Sequence, residues 1–306
     1  MIVALLAADL HLSEKPPIAR SCEQSWFAVM ERQLAQLREL QAKYQCPVLC
    51  SGDIFDKWNS SAKLINFALE SLPDLYAIPG QHDLKYQRYA DIKETAFYTL
   101  VKARKISLIR PGRPVAVGSL RLHGFPFGYE VEPLAKAHGL ALEVAVVHQY
   151  IWTKNTGYPG APRSQRLAAY GKRLQGYSAA VFGDNHKGFQ AIIGKNIQEE
   201  IQICNCGTFL RRKRDEIAYQ PQIGLLHDDG RISRHVLDCS ADQFLAVEKI
   251  QSSTKDELAM AGFLQELEHL TDKALDFSGA VLHFLDSHDV AQEVRNEVLK
   301  ALESYK

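Results

Sequence analysis

The sequence predicts an α/β protein built as two sheets packed face to face, with helices outside them and a small C-terminal β-α-β-α cap. Three observations predict it. Short apolar runs recur along the chain, each closing on glycine and ionisable residues, as buried parallel strands do at their carboxyl ends. Helical patterns such as Trp26, Phe27, Met30, Leu34, Leu37 and Leu40 lie between the first of these runs. After Asp238 the texture changes to a β-α-β-α order, as a separate module would require.

In order, strand-like runs end near Ala8, Ser51, Pro79, His148 and Gly183, and the first three with their helices make a βαβαβ opening. Ile106 to Ile109, Val115 to Val117 and Leu120 to Phe125 read as extended, and Val131 to His138 and Arg163 to Gln175 as helical. Gln190 to Ile193, Ile201 to Cys206 and Ile223 to Leu226 read as strands, the last entering a hairpin through Asp229-Gly230. In the tail, Phe244 to Ile250 reads as a strand. Thr254-Lys255-Asp256-Glu257 fits a capping box that opens a helix to Leu270, Ala280 to Asp286 reads as extended, and Val290 to Ser304 as helical. The expected division is therefore residues 1–238 and 239–306.

The 306 residues exceed one typical domain, and 46% hydrophobic with 24% charged residues is a globular composition that excludes a disordered chain. Lys+Arg and Asp+Glu both total 36, so any affinity for nucleic acid must come from local basic patches and bound metal. The run Met1 to Ala8 lacks a basic leader and passes directly into Asp9, which reads as a strand rather than a signal peptide. No apolar run approaches the ~18 to 20 residues of a membrane span. The expectation is a cytoplasmic protein without a membrane partner, its six cysteines reduced.

Five of the strand ends carry chemistry. They are Asp9-Leu10-His11, Gly52-Asp53-Ile54-Phe55-Asp56, Gly80-Gln81-His82-Asp83, His148 after Val144 to Val147, and Gly183-Asp184-Asn185-His186. Ligands bind at the carboxyl ends of strands in open α/β sheets. Carboxylates and imidazoles gathered there would repel or desolvate one another unless a cation sat among them. Asp53 is placed to bridge two ions, Gln81 offers an amide oxygen, and Asp9, His11, His148, Asp184 and His186 supply the other ligands. Two adjacent divalent ions activate water and neutralise a phosphate, so the implied chemistry is phosphoester hydrolysis. His82, beside Gln81, would face the substrate as a general acid for the departing oxygen, with Asp83 or Asp56 holding its ring.

Taken together these motifs resemble the calcineurin-like metallophosphoesterase superfamily. Asp9-Leu10-His11-Leu12, Gly52 to Asp56 and Gly207-Thr208-Phe209 further resemble the nuclease subunit of SbcCD-type DNA-repair complexes, including phage versions, whose capping module the tail is similar to. The resemblance implies a two-sheet metallophosphoesterase sandwich and a DNA exo- or endonuclease. It puts one metal on Asp9, His11, Asp53 and His186, and the second on Asp53, Gln81, His148 and Asp184. It also implies a coiled-coil ATPase subunit as partner and a homodimer formed through the outer helices. Two positions depart from the family pattern, Gln81 where Asn is usual and Asp184 where His is usual, and both fall on the second ion. A hard, anionic ligand at Asp184 favours Mn2+ or Mg2+ over zinc.

Lys187 and the run Arg211-Arg212-Lys213-Arg214 are candidate contacts to DNA phosphates, against a bland alternative of solvated charges partly paired with Asp215 and Glu216. Arg163, Arg166, Lys172 and Arg173 read as an exposed helix face, Cys204 and Cys206 as buried thiols on one strand face, and His123 as a core residue. Trp58 either stacks on a base or packs locally. The chain has no Gly-x-Ser-x-Gly and no Gly-x-Gly-x-x-Gly, which removes serine hydrolases and dinucleotide enzymes. The rival functions are a small-molecule phosphatase or cyclic-nucleotide phosphodiesterase on the same site, and a catalytically decayed DNA-binding subunit.

Overall fold

The computed structural model describes residues 1–134, 141–158, 160–194, 200–246, 285, 290 and 292–303. The chain divides into two compact units, Met1–Phe244 and Leu245–Lys306. The first holds strands β1 (Ile2–Ala7), β2 (Val48–Cys50), β3 (Leu75–Ala77), β4 (Ile106–Leu108), β5 (Val115–Val117), β6 (Leu120–Phe125), β7 (Leu142–His148), β8 (Ala179–Gly183), β9 (Phe189–Ile193), β10 (Ile201–Asn205), β11 (Gln222–His227) and β12 (Ile232–Val236). They form two six-stranded sheets, ordered β12-β11-β1-β2-β3-β4 and β5-β6-β7-β8-β10-β9. β1 to β4 run parallel in the first sheet, with the antiparallel pairs β1–β11 and β11–β12 on one side of it, and β6, β7, β8 and β10 run parallel in the second, whose edge strands β5 and β9 pair antiparallel.

Burial on both faces of the central strands explains why they read as unbroken apolar runs. Alternate residues of β1 go to different cores. Ala4 and Leu6 pack between the sheets with Leu49, Leu122, Val144, Val146 and Val181. Leu5 and Ala7 face the helix side with Met30, Leu34 and Leu37. Ala145, Val147, Ala180 and Phe182 turn to the outer face of the second sheet, against Tyr170, Leu174 and Tyr177.

Each helix on the first sheet starts at a hydroxyl that caps an otherwise unpaired amide. Ser25 accepts from Ala28 N at the head of α1 (Trp26–Tyr44), Ser61 from Leu64 N at α2 (Ala62–Ser71), and Thr95 from Tyr98 N at α3 (Ala96–Lys102). Along α1 the buried stripe Trp26, Met30, Leu34 and Leu37 follows the helical period, and the helix ends at Gln45 with φ 49°.

Two helical expectations are corrected. Residues 131–134 are irregular because Pro133 disfavours helical geometry at Glu132; Leu134 N instead bonds Gln175 O at 3.0 Å, and the remainder of the expected helix lies outside the described residues. Arg163 to Gln175 is not one helix. It is a 3-10 turn (Arg163–Gln165), a single turn α4 (Leu167–Tyr170) and a second 3-10 turn (Gly171–Leu174), started by Leu167 N bonding Trp152 O at 2.8 Å.

The first unit continues past Asp238 because Asp242 is locked into it. The fully buried Arg20 donates to Asp242 Oδ2 at 3.1 Å and to Glu23 Oε1 at 2.5 Å, and caps the Arg211 carbonyl. Arg211 Nε meets the same Asp242 oxygen at 3.0 Å, and Arg32 Nη2 meets Oδ1 at 3.0 Å. The Phe244 ring closes this knot under both guanidinium groups, 4.8 Å from Arg20 and 5.3 Å from Arg211.

In the second unit, helix α5 (Gln292–Glu303) is described, with Arg295 Nη1 donating to Leu285 O at 2.7 Å. Residues 244–246 are irregular; the rest of the expected Phe244 to Ile250 strand, the helix from Thr254 and all but Leu285 of the Ala280 to Asp286 stretch lie outside the described residues.

Candidate metal centre

The loops after β1, β2, β3, β7 and β8 converge, and main-chain bonds register them. Asp9 N bonds Gly52 O at 3.1 Å, His11 N bonds Asp53 O at 2.9 Å, and Asp184 N donates to Asp9 Oδ1 at 3.0 Å. The segment after β10 backs both ends of the site: Thr208 N bonds His186 O and Phe209 N bonds Asp9 O, each at 3.1 Å. Asp9 (φ 53°), His11 (φ 45°), Asp53 (φ 53°) and Asp184 (φ 82°) all sit in left-handed backbone. Non-glycine residues held there cost energy and cluster where side chains are aimed for function.

Two glycines make room. Gly52 has φ +98°, and a Cβ on it would lie 2.7 Å from Gly80 N and strike His148 Nδ1. A Cβ on Gly80 would strike Asp53 Oδ1 and approach His148 Cε1 to 2.6 Å. A methyl at either position would occupy the ligand space itself.

The donors then fall into three overlapping groups: Asp9, His11 and His186; Asp9, Asp53 and His148; and His11, Asp53 and His82, with the ligand atoms of each group within 4.8 Å of one another. His11 Nε2 and His186 Nε2 face each other at 3.1 Å. His148 Nδ1 lies 2.5 Å from Ser51 O, and Nε2 turns inward to Gln81 Oε1 at 2.5 Å and Asp53 Oδ2 at 3.4 Å; all three oxygens only accept, so without a cation both ring nitrogens carry protons, and the Nε2 proton is the one a cation would displace. An imidazole anchored through one nitrogen on a backbone carbonyl is how metal-binding histidines are held. Gln81 Nε2 in turn donates to Asp184 Oδ1 at 2.8 Å, which brings the two departures from the family pattern into direct contact.

Charge in this cluster is not balanced internally. Asp53 Oδ2 is buried without a hydrogen-bond partner, with His11 Nε2 at 3.8 Å. Burial, with Asp53 alongside, pushes Asp9 well above the usual carboxylate range. Burial pushes Asp53 up as well, but the imidazoles of His148 and His82 outweigh it and hold the group low. Burial opposes charge on His148, yet Asp53 outweighs it and raises that imidazole to about 10. Burial with the Lys213 and Arg212 cations lowers His186 to about 3, and burial with Arg212 lowers His11, so both rings are neutral donors. Two neutral imidazoles nose to nose, three nearby carboxylates and one orphaned buried carboxylate oxygen fit divalent cations.

His82 lies beside this cluster, its ring 4.9 Å from that of His11 and its Nδ1 2.9 Å from Asp56 O. The expected holder is a carboxylate of Asp83 or Asp56; the atom found on Nδ1 is the Asp56 backbone carbonyl. Asp83 accepts instead from the amides of Ile54, Phe55 and Gly80 at 3.2, 3.0 and 3.0 Å, stitching two ligand loops together. Burial and Asp53 push its carboxyl to about 7. The Asp56 carboxylate takes Arg212 Nη2 at 2.5 Å and lies 3.7 Å from His11 Nδ1.

The basic run is divided by the fold. Arg211 is buried, bonded to Asp242, Ile217 O and Cys239 O, and this removes it from the candidate phosphate contacts. Arg212 points to the site, with its Nε buried and unpartnered. The Lys213 and Arg212 amides both bond Glu216, and Lys187 is exposed with its amide on Asn185 Oδ1. Three further residues contribute whose roles spacing alone does not mark, Asn185 within the fifth motif and two tyrosines outside the motifs. Asn185 is buried and pins its loop to Ile151 O at 2.8 Å, and the tilted rings of Tyr150 and Tyr158, 5.1 Å apart, feel the charge of Asp184. His123 is buried on Glu143 Oε2 at 2.6 Å, outside the site.

Compared with known proteins, residues 2–188 match the family described as calcineurin-like phosphoesterase. A search of curated proteins finds no match. Solved structures similar to this chain include the calcineurin-like phosphoesterase YfkN from Bacillus subtilis, 11% identical, covering 85% of this chain and 98% of that one with a TM-score of 0.44. A metallophosphoesterase from Sphaerobacter thermophilus is 12% identical, with coverage of 78% and 88% and a TM-score of 0.39. A hypothetical protein from Thermus thermophilus is 13% identical, with coverage of 76% and 98% and a TM-score of 0.42.

Proposed function

This chain belongs to the calcineurin-like phosphoesterases, and on that basis we propose that it hydrolyses DNA phosphodiester bonds. The observation that carries hydrolysis is the clustered set Asp9, His11, Asp53, His148 and His186, with Asp53 Oδ2 buried at its centre without a hydrogen bond and met by His148 Nε2 at 3.4 Å and His11 Nε2 at 3.8 Å. One divalent cation would sit on Asp9, His11, Asp53 and His186, and a second on Asp53, Gln81, His148 and Asp184. When bound, such ions lower the pKa of water and neutralise charge on the phosphate.

The chain's own residues supply the rest. Asp56 O fixes the Nδ1 proton of His82, so Nε2 is the nitrogen that delivers a proton to the departing oxygen. Asp56 also holds Arg212 by a 2.5 Å contact, which places a guanidinium at the rim where a phosphate oxygen would lie. Ser51 O holds the Nδ1 proton of His148, which leaves Nε2 as the nitrogen a cation would take. DNA as the substrate draws support from the Asp-Leu-His-Leu, Gly-Asp-Ile-Phe-Asp and Gly-Thr-Phe motifs and from Arg212, Lys213 and the exposed Lys187 around the same opening.

Manganese-loaded protein should cut linear duplex or single-stranded DNA, and Asp53→Ala should not. Turnover of bis-p-nitrophenyl phosphate or cyclic nucleotides with intact DNA would overturn the DNA assignment and leave a small-molecule phosphodiesterase. DNA binding with no hydrolysis in manganese, magnesium, cobalt or nickel would overturn catalysis altogether.

A further inference from the structure

Next to His82 the chain builds an aromatic feature that neither the core nor the metal ligands explain. Tyr86 is 71% exposed, the largest exposure of any aromatic side chain among the exposed large hydrophobics. It is also held in left-handed backbone (φ 51°), as is Gln87 after it (φ 57°), although a bulky side chain strongly disfavours that region. The chain is kept there by Leu84 N on Gln81 O at 3.3 Å, Gln87 N on Leu84 O at 3.1 Å and Arg88 N on Lys85 O at 3.0 Å. Backbone strain of this kind persists where surrounding structure imposes it, and it serves to aim a side chain.

The aim is toward Trp58. The two rings lie 6.3 Å apart at 49°, and Lys85 Nζ sits 5.5 Å from one and 5.4 Å from the other. Lys85 is steadied by Glu94 Oε2 at 2.5 Å. Trp58 is fixed as well, because its carbonyl accepts the Ala96 amide at 2.8 Å where α3 begins. Both aromatics belong to the loops that hold the proton donor: Tyr86 follows His82 by four residues, and Trp58 follows Asp56, whose carbonyl is on His82 Nδ1. A pair of rings with a cation beside both, on the loops that carry the leaving-group acid, fits the aromatic part of a phosphodiester substrate. For DNA that part is a base, with its phosphate available to Lys85.

We propose that Trp58 and Tyr86 form a stacking platform for a nucleobase adjoining the scissile phosphate, on the leaving-group side. This deepens the reading of DNA as substrate and rests on it. The test compares fluorescein-labelled octathymidylate with an abasic octamer of equal charge. Anisotropy is read in EDTA, and KM is read in manganese.

The wild type should bind the thymidine octamer about tenfold more tightly than the abasic one. That gap should close in both Tyr86→Leu and Trp58→Leu, with manganese content and thermal midpoint held at wild-type values. Equal wild-type affinities, binding of neither probe, or a gap that survives both substitutions would overturn the platform. If either variant fails to fold, the wild-type comparison alone decides. Failure of the nuclease reading looks different: bis-p-nitrophenyl phosphate is turned over while both octamers stay uncut.

Discussion

The metal centre and the arginine knot around Asp242 both bury charge in the first unit, but they are assembled in opposite ways. In the knot, Arg20, Arg32 and Arg211 surround Asp242, with Glu23 also on Arg20; every guanidinium nitrogen of Arg20 and of Arg211 has a partner, whereas Arg32 Nε is buried without one. In the metal centre, Asp9, Asp53 and Asp184 are brought together with imidazoles, and two of those imidazoles are kept neutral. Asp53 Oδ2 there makes no hydrogen bond and has His148 Nε2 only at 3.4 Å. Burying cations and carboxylates in near-complete mutual hydrogen bonding yields a structural clasp, whereas an excess of buried carboxylates over the His148 cation leaves a deficit that an added cation fills.

The largest effect that follows is on Asp53. Asp53→Ala should lower phosphodiester turnover about a thousandfold, equivalent to about 4 kcal/mol of transition-state stabilisation, and abolish the two-ion stoichiometry. Without metal its thermal midpoint should fall by less than that of Asp242→Ala, because the lost His148 pair and His82 amide bond are partly offset by removing a like-charged neighbour of Asp9. A metal-free fall as large as that of Asp242→Ala would place Asp53 in the structural class with Asp242.

Asp242→Ala should do the reverse. It strands buried guanidinium groups, so urea unfolding should read a loss of about 3 to 5 kcal/mol, while manganese content stays at the wild-type value. A stability change within error would dissolve the contrast from the other side.

Chelation sharpens it further. If manganese is supplied at ~100 times its dissociation constant, adding EDTA should remove about 2.7 kcal/mol of stability per bound ion from the wild type and less from Asp53→Ala. Equal responses of the two proteins would separate the stabilising ion from Asp53. The smallest change is expected at Asp184, whose Oδ1 lies 2.8 Å from Gln81 Nε2. Asp184→Ala should lower the manganese count from two ions to one; a wild type that holds one ion, with the variant also at one, would remove the second site.

Residue order was enough to settle the strands, the succession of the ligand loops and the residue types at their tips. Short apolar runs rich in β-branched residues and closed by glycine or charge suit strands buried on both faces, and β1, β7 and β8 end where those runs meet charge. Local chemistry also set the caps at Ser25, Ser61 and Thr95. Periodicity misleads at Arg163 to Gln175, where the Trp152 contact overrides it, and at Val131 to Leu134, where Pro133 outweighs it.

Which atom each group meets was settled by long-range folding. Asp83 bonds three amides, His82 rests on the Asp56 carbonyl, and the adjacent Arg211 and Arg212 part company, one into the knot and one to the rim. Composition and spacing specify side chains, but backbone carbonyls and amides are the same at every position. Only the folded path, through contacts between residues as distant in sequence as Arg20 and Asp242, selects which of them a side chain will find.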